Sequence, residues 1–195
     1  MLKVGVTGGI GAGKSMICAQ FEKLGVRVYY ADVRAKALVL NDKKLSTLIK
    51  KAFGEKILDK DKNIDRQKLA SVVFADSEAL EKLNQLVHPA VINDFNLWCE
   101  HRQHEKYVIK EAALIFESDT YKDLDVVITV YAPLEIRLQR VMDRDGTSRE
   151  NVMQRVKNQL SDEVKIERSD FVIHSYGDHD VSDQVYKLHK HFSEL

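Results

Sequence analysis

The chain has 195 residues, 44% hydrophobic and 31% charged, enough for one compact domain with a small insertion and too little for two full domains. Thirty Lys plus Arg balance thirty Asp plus Glu, so no global basic field draws in DNA or RNA, and any anion must be met by a local site. Only two cysteines, Cys18 and Cys99, two prolines and no long apolar run occur, which excludes a disulfide scaffold, a membrane span and low-complexity sequence and predicts reduced thiols in a cytoplasmic protein.

Leu2 to Val6 reads as a short apolar strand, followed by a glycine-rich turn and then by Ile17, Phe21 and Leu24 at helical spacing. Gly25 stops that helix, and Val26 to Tyr30 returns as a second strand, so the opening unit is βαβ with a parallel sheet. From Val33 to about Glu105 the pattern is helical, with Leu45, Leu48, Ile49 and Phe53 on one face and Leu80, Leu83, Leu86 and Val87 on another. Gly54 to Asn63 has the chemistry of a loop, and Asp65 and Asp76 or Ser77 suit helix N-caps. Tyr107 to Ile109 and Val126 to Tyr131 are apolar throughout, as strands covered on both faces are. Pro133 opens a helix over Leu134 to Asp145 that Gly146 ends, and Thr147 with Glu150 forms a capping-box pattern for another helix reaching Gln159. A last strand, Phe171 to Ile173, and a last helix, Val181 to His191, complete a doubly wound α/β domain with a helical insertion and a helical lid.

Residues 8 to 15, Gly8-Gly9-Ile10-Gly11-Ala12-Gly13-Lys14-Ser15, match the phosphate-binding loop in full, between a strand and a helix as its mechanism requires. Glycines let successive amides turn inward as an anion nest, the helix starting near Gly13 adds its positive end, and Lys14 places a charge on the β and γ phosphates. Ser15 is placed to hold nucleotide-bound Mg²⁺ through its hydroxyl. Asp32 follows the second strand at the carboxyl edge of the sheet; it suits a base or a Mg²⁺ partner, and equally a cap for a helix starting at Val33. Arg137, Arg140 and Arg144 recur at helical spacing, with Arg149 and Arg155 on the next helix, so a lid could carry guanidinium groups to phosphate oxygens. His88 before Pro89 reads as a helix boundary, and the histidines and cysteines show no metal-ligand spacing.

Three classes share such a loop. A switch GTPase needs Asn-Lys-x-Asp after a strand, which is missing; Asp143 to Gly146 fits Asp-x-x-Gly but ends a helix. ATP-driven machines carry a strand ending in Asp-Glu and need more chain. A small-molecule kinase needs an acceptor pocket and a closing lid, which the helical insertion and the arginine helices supply.

Val4 to Ser15, Ala31-Asp32, Asp65-Arg66 with Val73-Phe74, His88-Pro89, Leu114-Ile115-Phe116-Glu117, Arg140, Arg144-Asp145, Gln159, and Ser169-Asp170 through Gly177 together resemble the dephospho-coenzyme A kinase family, in order and over nearly the whole chain. The resemblance implies a fold like that of the nucleoside monophosphate kinases, with a nucleotide-binding core over 1–32 and 106–195, a lid at about 137–160 and an acceptor domain over 33–105. It implies transfer of the γ-phosphoryl of ATP to the 3′-hydroxyl of the dephospho-coenzyme A ribose, without nucleic-acid or membrane partners, by a monomer or weak homo-oligomer. Asp32 is then the base, with Lys14 and Arg140 as the other catalytic groups. Gly9, Ile10, Gly11, Ala12, Gly13, Lys14, Ser15, Met16 and Arg144 would hold the nucleotide. Thr7, Asp32, Arg66, His88, Leu114, Ile115, Phe116 and Glu117 would line the acceptor site. The chain departs from the family pattern at Tyr30, Ala113, Arg137 and Ser175, where Asp, Pro, Gln and Asn are usual; Ser175 stands where the nucleotide base is met. Another small kinase of this fold, or a non-catalytic nucleotide sensor, remains open at this point.

Overall fold

In the computed structural model all 195 residues are described, except for the side chains of Phe74 and Ser77. The chain forms two compact units, Met1–Tyr30 with Arg102–Leu195, and Ala31–His101.

The first unit is built on five parallel strands, β1 (Leu2–Thr7), β2 (Arg27–Tyr30), β3 (Tyr107–Glu111), β4 (Val126–Tyr131) and β5 (Phe171–His174), in the order β2-β3-β1-β4-β5. β1 is central: Val4 is paired with Ile109 on one side and Val126 on the other. Its apolar residues need cover on both faces, which explains why the strand shows no alternation in sequence. Helices α1 (Lys14–Lys23) and α9 (Val181–Glu194) contribute Ile17, Cys18, Phe21, Val185 and Phe192 to a core with Val4, Val6, Ile109, Ile128, Val130 and Ile173. A second cluster joins Ile115 and Phe116 to Val127, and a third joins Leu138, Val141 and Val152 of α6 (Leu134–Asp145) and α7 (Arg149–Lys157) to Ile10. From β1 the chain runs through α1 toward β2, whereas β4 continues outward to β5 on the other side. This reversal opens a crevice beyond the carboxyl end of β1, where open α/β sheets bind ligands, and the glycine loop occupies it.

The second unit is helical, with α2 (Ala31–Asn41), α3 (Lys43–Phe53), a 3₁₀ turn (Gly54–Ile57), α4 (Arg66–Ala75) and α5 (Ser77–Glu100). Asp42 caps α3, its carboxylate accepting from Leu45 N at 2.8 Å, and Asp65 caps α4 through Gln67 N and Lys68 N. The Arg34 guanidinium forks onto the Asp94 carboxylate at 2.8 and 2.6 Å, tying α2 to α5.

Several sequence expectations change. α2 begins at Ala31, so Asp32 lies inside the first turn and is not a cap before Val33. Leu48 is 43% exposed, while Leu45, Ile49 and Phe53 alone form the buried stripe of α3. His88-Pro89 is no boundary: α5 continues through Pro89, where the missing N–H removes one rung of the ladder and packing holds the rest. Asp76 caps α5 through Glu78 N, and Ser77, the other candidate, has its side chain outside the described residues. Ser148, not Thr147, caps α7, which ends at Lys157 instead of Gln159, and a further short helix, α8 (Asp162–Glu167), precedes β5.

Candidate active site

The five peptides from Gly8–Gly9 to Ala12–Gly13 are each fixed by a named partner. In a trans peptide the carbonyl and the following N–H point in opposite directions, so the bonds of one reveal the aim of the other. Lys14 Nζ donates to the Gly8 and Gly9 carbonyls at 3.0 and 3.4 Å, which turns the next amide outward, and Ile10 N donates to Gln159 Oε1 at 2.8 Å. Beyond that point the polarity inverts. The Ile10 carbonyl accepts from Arg137 Nη1 at 3.2 Å, the Gly11 carbonyl from Arg140 Nη1 at 3.5 Å, and the Ala12 carbonyl from the Ser175 hydroxyl. With these carbonyls held outside, the Gly11 and Gly13 amides face the opposite way. Positive φ at Gly8, Gly11 and Gly13 (144°, 80° and 97°) permits the path. A Cβ at Gly8 would overlap the Val130 carbonyl, and one at Gly11 the Arg137 carbonyl, so these positions also need the space. Gly13 is the N-cap of α1 and no side chain caps that helix, so its first-turn amides remain available to an anion.

The arginines do not share one role. Arg137 is 4% exposed, its guanidinium spent on the Ala132 and Ile10 carbonyls and on Asp162 Oδ2 at 2.5 Å. It is therefore a clamp behind the loop and no part of an open lid face. Arg140 lies half-buried at the loop, donating to Ser175 Oγ and to the Ser175 carbonyl at 2.6 Å. Arg144 and Arg155 both pair with Asp145, and Arg149 forks onto Glu135, all near solvent.

Thr7 ends β1, fully buried, its hydroxyl on the Ala113 carbonyl at 3.4 Å. Of Leu114 to Glu117, Ile115 and Phe116 are core side chains and only Leu114 is exposed, so those two would meet a ligand through their backbone alone. The Glu117 carboxylate accepts from Leu160 N at 2.8 Å and pairs with the fully buried Lys165 ammonium at 2.9 Å, which also donates to the Ala113 carbonyl. Glu117 thus braces the segment from inside.

Within the helical unit, Asp32 is exposed and engages no other side chain among the described residues. A cavity of about 310 Å³ lies between α2, α4 and α5, walled by Val39, Leu69, Val73 and Val87, with Lys36 and Arg66 bringing positive charge to its lining. His88 is half-buried on α5 and does not line it.

Residues 2–180 match the family model for dephospho-CoA kinase. The chain belongs to the dephospho-CoA kinase family. The dephospho-CoA kinase of Fusobacterium nucleatum is 41% identical over 87% of each chain, and that of Aquifex aeolicus 36% identical over 100% of this chain and 98% of its own. The solved dephospho-CoA kinase of Campylobacter jejuni superposes with a TM-score of 0.71 at 30% identity, covering 98% of this chain and 97% of that one. Family membership makes the protein a phosphate-loop kinase that uses a nucleotide, and no helix among the described residues is long and apolar enough to cross a membrane.

Mg²⁺, implied for such a kinase, demands hard oxygen ligands but keeps several waters, so one protein hydroxyl beside the phosphates is enough. Ser15 fits: it is exposed in the first turn of α1, next to the nest. Asp162, Lys165 and the buried role of Ser175 left no signal in the sequence. Only contacts between distant segments reveal them; a lysine in a helix of alternating charge carries no mark of burial.

Proposed function

We propose that the chain transfers the γ-phosphoryl of ATP to the 3′-hydroxyl of the ribose of dephospho-CoA, giving CoA and ADP, the last step of CoA synthesis. The observation that carries this reading is the glycine loop whose outward carbonyls are all anchored, in a chain of this family. Gly9 to Met16 bind the phosphates, Lys14 moves from the Gly8 and Gly9 carbonyls to the β and γ oxygens, and Arg140 and Arg144 take up charge on the transferring group. Ser15 Oγ would hold Mg²⁺, which would supply further charge neutralisation at the phosphates. Asp32 orients the acceptor hydroxyl and takes its proton as the new bond from the 3′-oxygen to the γ-phosphorus forms and the bond to the bridging oxygen of ADP breaks. Arg66 and Lys36 suit the phosphates of the acceptor, and the apolar cavity beside them suits its uncharged arm. Thr7, His88, Leu114 and the backbone of the segment through Glu117 complete the acceptor side.

The test is turnover with ATP and Mg²⁺ against a panel of dephospho-CoA, shikimate and nucleoside monophosphates, with Lys14→Ala as control. Dephospho-CoA is expected to exceed the other acceptors in kcat/KM by at least about 10³-fold, since only it has the long uncharged arm that the apolar cavity would bind, and binding remote from the reacting hydroxyl is lost with the truncated acceptors. Equal turnover of another acceptor would overturn the assignment.

A further inference from the structure

The loop owes its aim to particular peptides. Glycine tolerates positive and negative φ alike, so a peptide that leads into a glycine can rotate by half a turn at little cost, replacing an inward N–H with an inward carbonyl. Two peptides in the nest are of this kind, Ile10–Gly11 and Ala12–Gly13, and both glycines have positive φ. The first is held by Arg137, itself locked by Asp162. The second is held by the Ser175 hydroxyl alone among the described side chains.

The polarity of that contact is forced. A guanidinium only donates, so Ser175 Oγ must accept from Arg140 Nη1 at 3.2 Å, and its single proton is left for the Ala12 carbonyl. The serine cannot turn away: Arg140 Nη2 donates to its carbonyl at 2.6 Å, its N–H donates to the Tyr131 carbonyl at 2.9 Å, and it is 2% exposed. We propose that Ser175, oriented by Arg140, is a positioning residue that keeps the Gly13 N–H aimed into the phosphate nest. The inference rests on reading that nest as the nucleotide phosphate site. It gives Arg140 a second task beyond meeting phosphate charge, and it assigns Ser175 to the phosphates instead of the base.

The experiment uses the full chain with Ser175→Ala and Ser175→Cys, the latter keeping the volume with a weaker donor. Calorimetry with inorganic tripolyphosphate, ATP and adenosine separates phosphate from base, and a melt reports on the fold. The Ala variant is expected to bind tripolyphosphate and ATP about tenfold more weakly, with adenosine within twofold, the melting midpoint nearly unchanged and Cys intermediate. In turnover, kcat is expected to fall together with a rise in KM for ATP, while KM for the acceptor stays constant. Unchanged tripolyphosphate binding overturns the proposal, as does an equal loss for adenosine or a loss that merely follows a lowered melting midpoint. Tripolyphosphate binding by the parent chain does not depend on the acceptor, so failure to phosphorylate dephospho-CoA would remove the proposed reaction and leave this inference standing.

Discussion

At the scale of single residues, Asp32 and Glu117 are both carboxylates in family motifs, yet their surroundings separate them. Asp32 is exposed and uncommitted, so a substitution there touches chemistry and little else. Asp32→Asn should leave ATP affinity within twofold and the melting midpoint unchanged while lowering kcat by about 10²-fold, the usual contribution of a general base; steady-state kinetics with dephospho-CoA checks it. A kcat within a few-fold of the parent would reduce Asp32 to a first-turn acid beside the helix dipole. Glu117 is committed to Lys165, which is fully buried. Glu117→Gln keeps an acceptor for Leu160 N but strands an ammonium in the interior, and urea unfolding should show a loss of about 3–5 kcal/mol. A loss below about 1 kcal/mol would mean that the Lys165–Glu117 pair does not hold the segment.

At the scale of elements, α6 and α7 are fastened to each other by ion pairs at the surface. Arg149 reaches Glu135 with two bonds of 2.7 Å, and Asp145 at the end of α6 receives Arg144 and Arg155. The Arg149 guanidinium holds the Glu135 carboxyl below its ordinary 4.5, and Arg144, then Arg155, hold Asp145 below 3.8. Because folding lowers both values, the pairs favour the hairpin fully above the ordinary carboxyl range and release it as pH falls through the lowered values. Carboxyl-carbon NMR titration should place both midpoints below the ordinary ones, and 1 M NaCl should move them back toward normal, as expected for exposed pairs. Ordinary midpoints at low salt would show that the pairs do not persist in solution. Such exposed pairs are individually weak, whereas Arg137, buried behind the loop, ties the base of α6 to it.

At the scale of the whole molecule, the chain divides its labour between a sheet unit that carries the phosphate loop and a helical unit that carries the apolar cavity. Ala70 lines that cavity, and Ala70→Phe would fill part of it. KM for dephospho-CoA should rise by about tenfold or more and KM for ATP should hold within twofold, at a stability cost of about 1–3 kcal/mol from overpacking. Parallel rises in both KM values would show that the helical unit does not act as a separate acceptor site.

The sequence by itself determined the phosphate loop, the strand and helix on either side of it and the all-apolar central strands, because these depend on glycine conformational freedom and local hydrophobic pattern, which act over a few residues. It also determined the helical character of the insertion and the cap at Asp65, and narrowed the next cap to Asp76 or Ser77, because a cap is a contact between near neighbours. The tertiary structure alone decided the fate of the polar groups. Arg137, Arg140 and Arg144 are equivalent by helical spacing, and only the approach of Ile10, Asp162 and Ser175 makes the first a buried clamp and the second a loop contact, while Arg144 stays at the surface on its neighbour Asp145. Pro89 inside a helix, Leu48 on its exposed side and Lys165 in the interior likewise follow from what packs against them. Desolvation, packing and hydrogen bonding between segments far apart in the chain set these outcomes, and no local spacing records them.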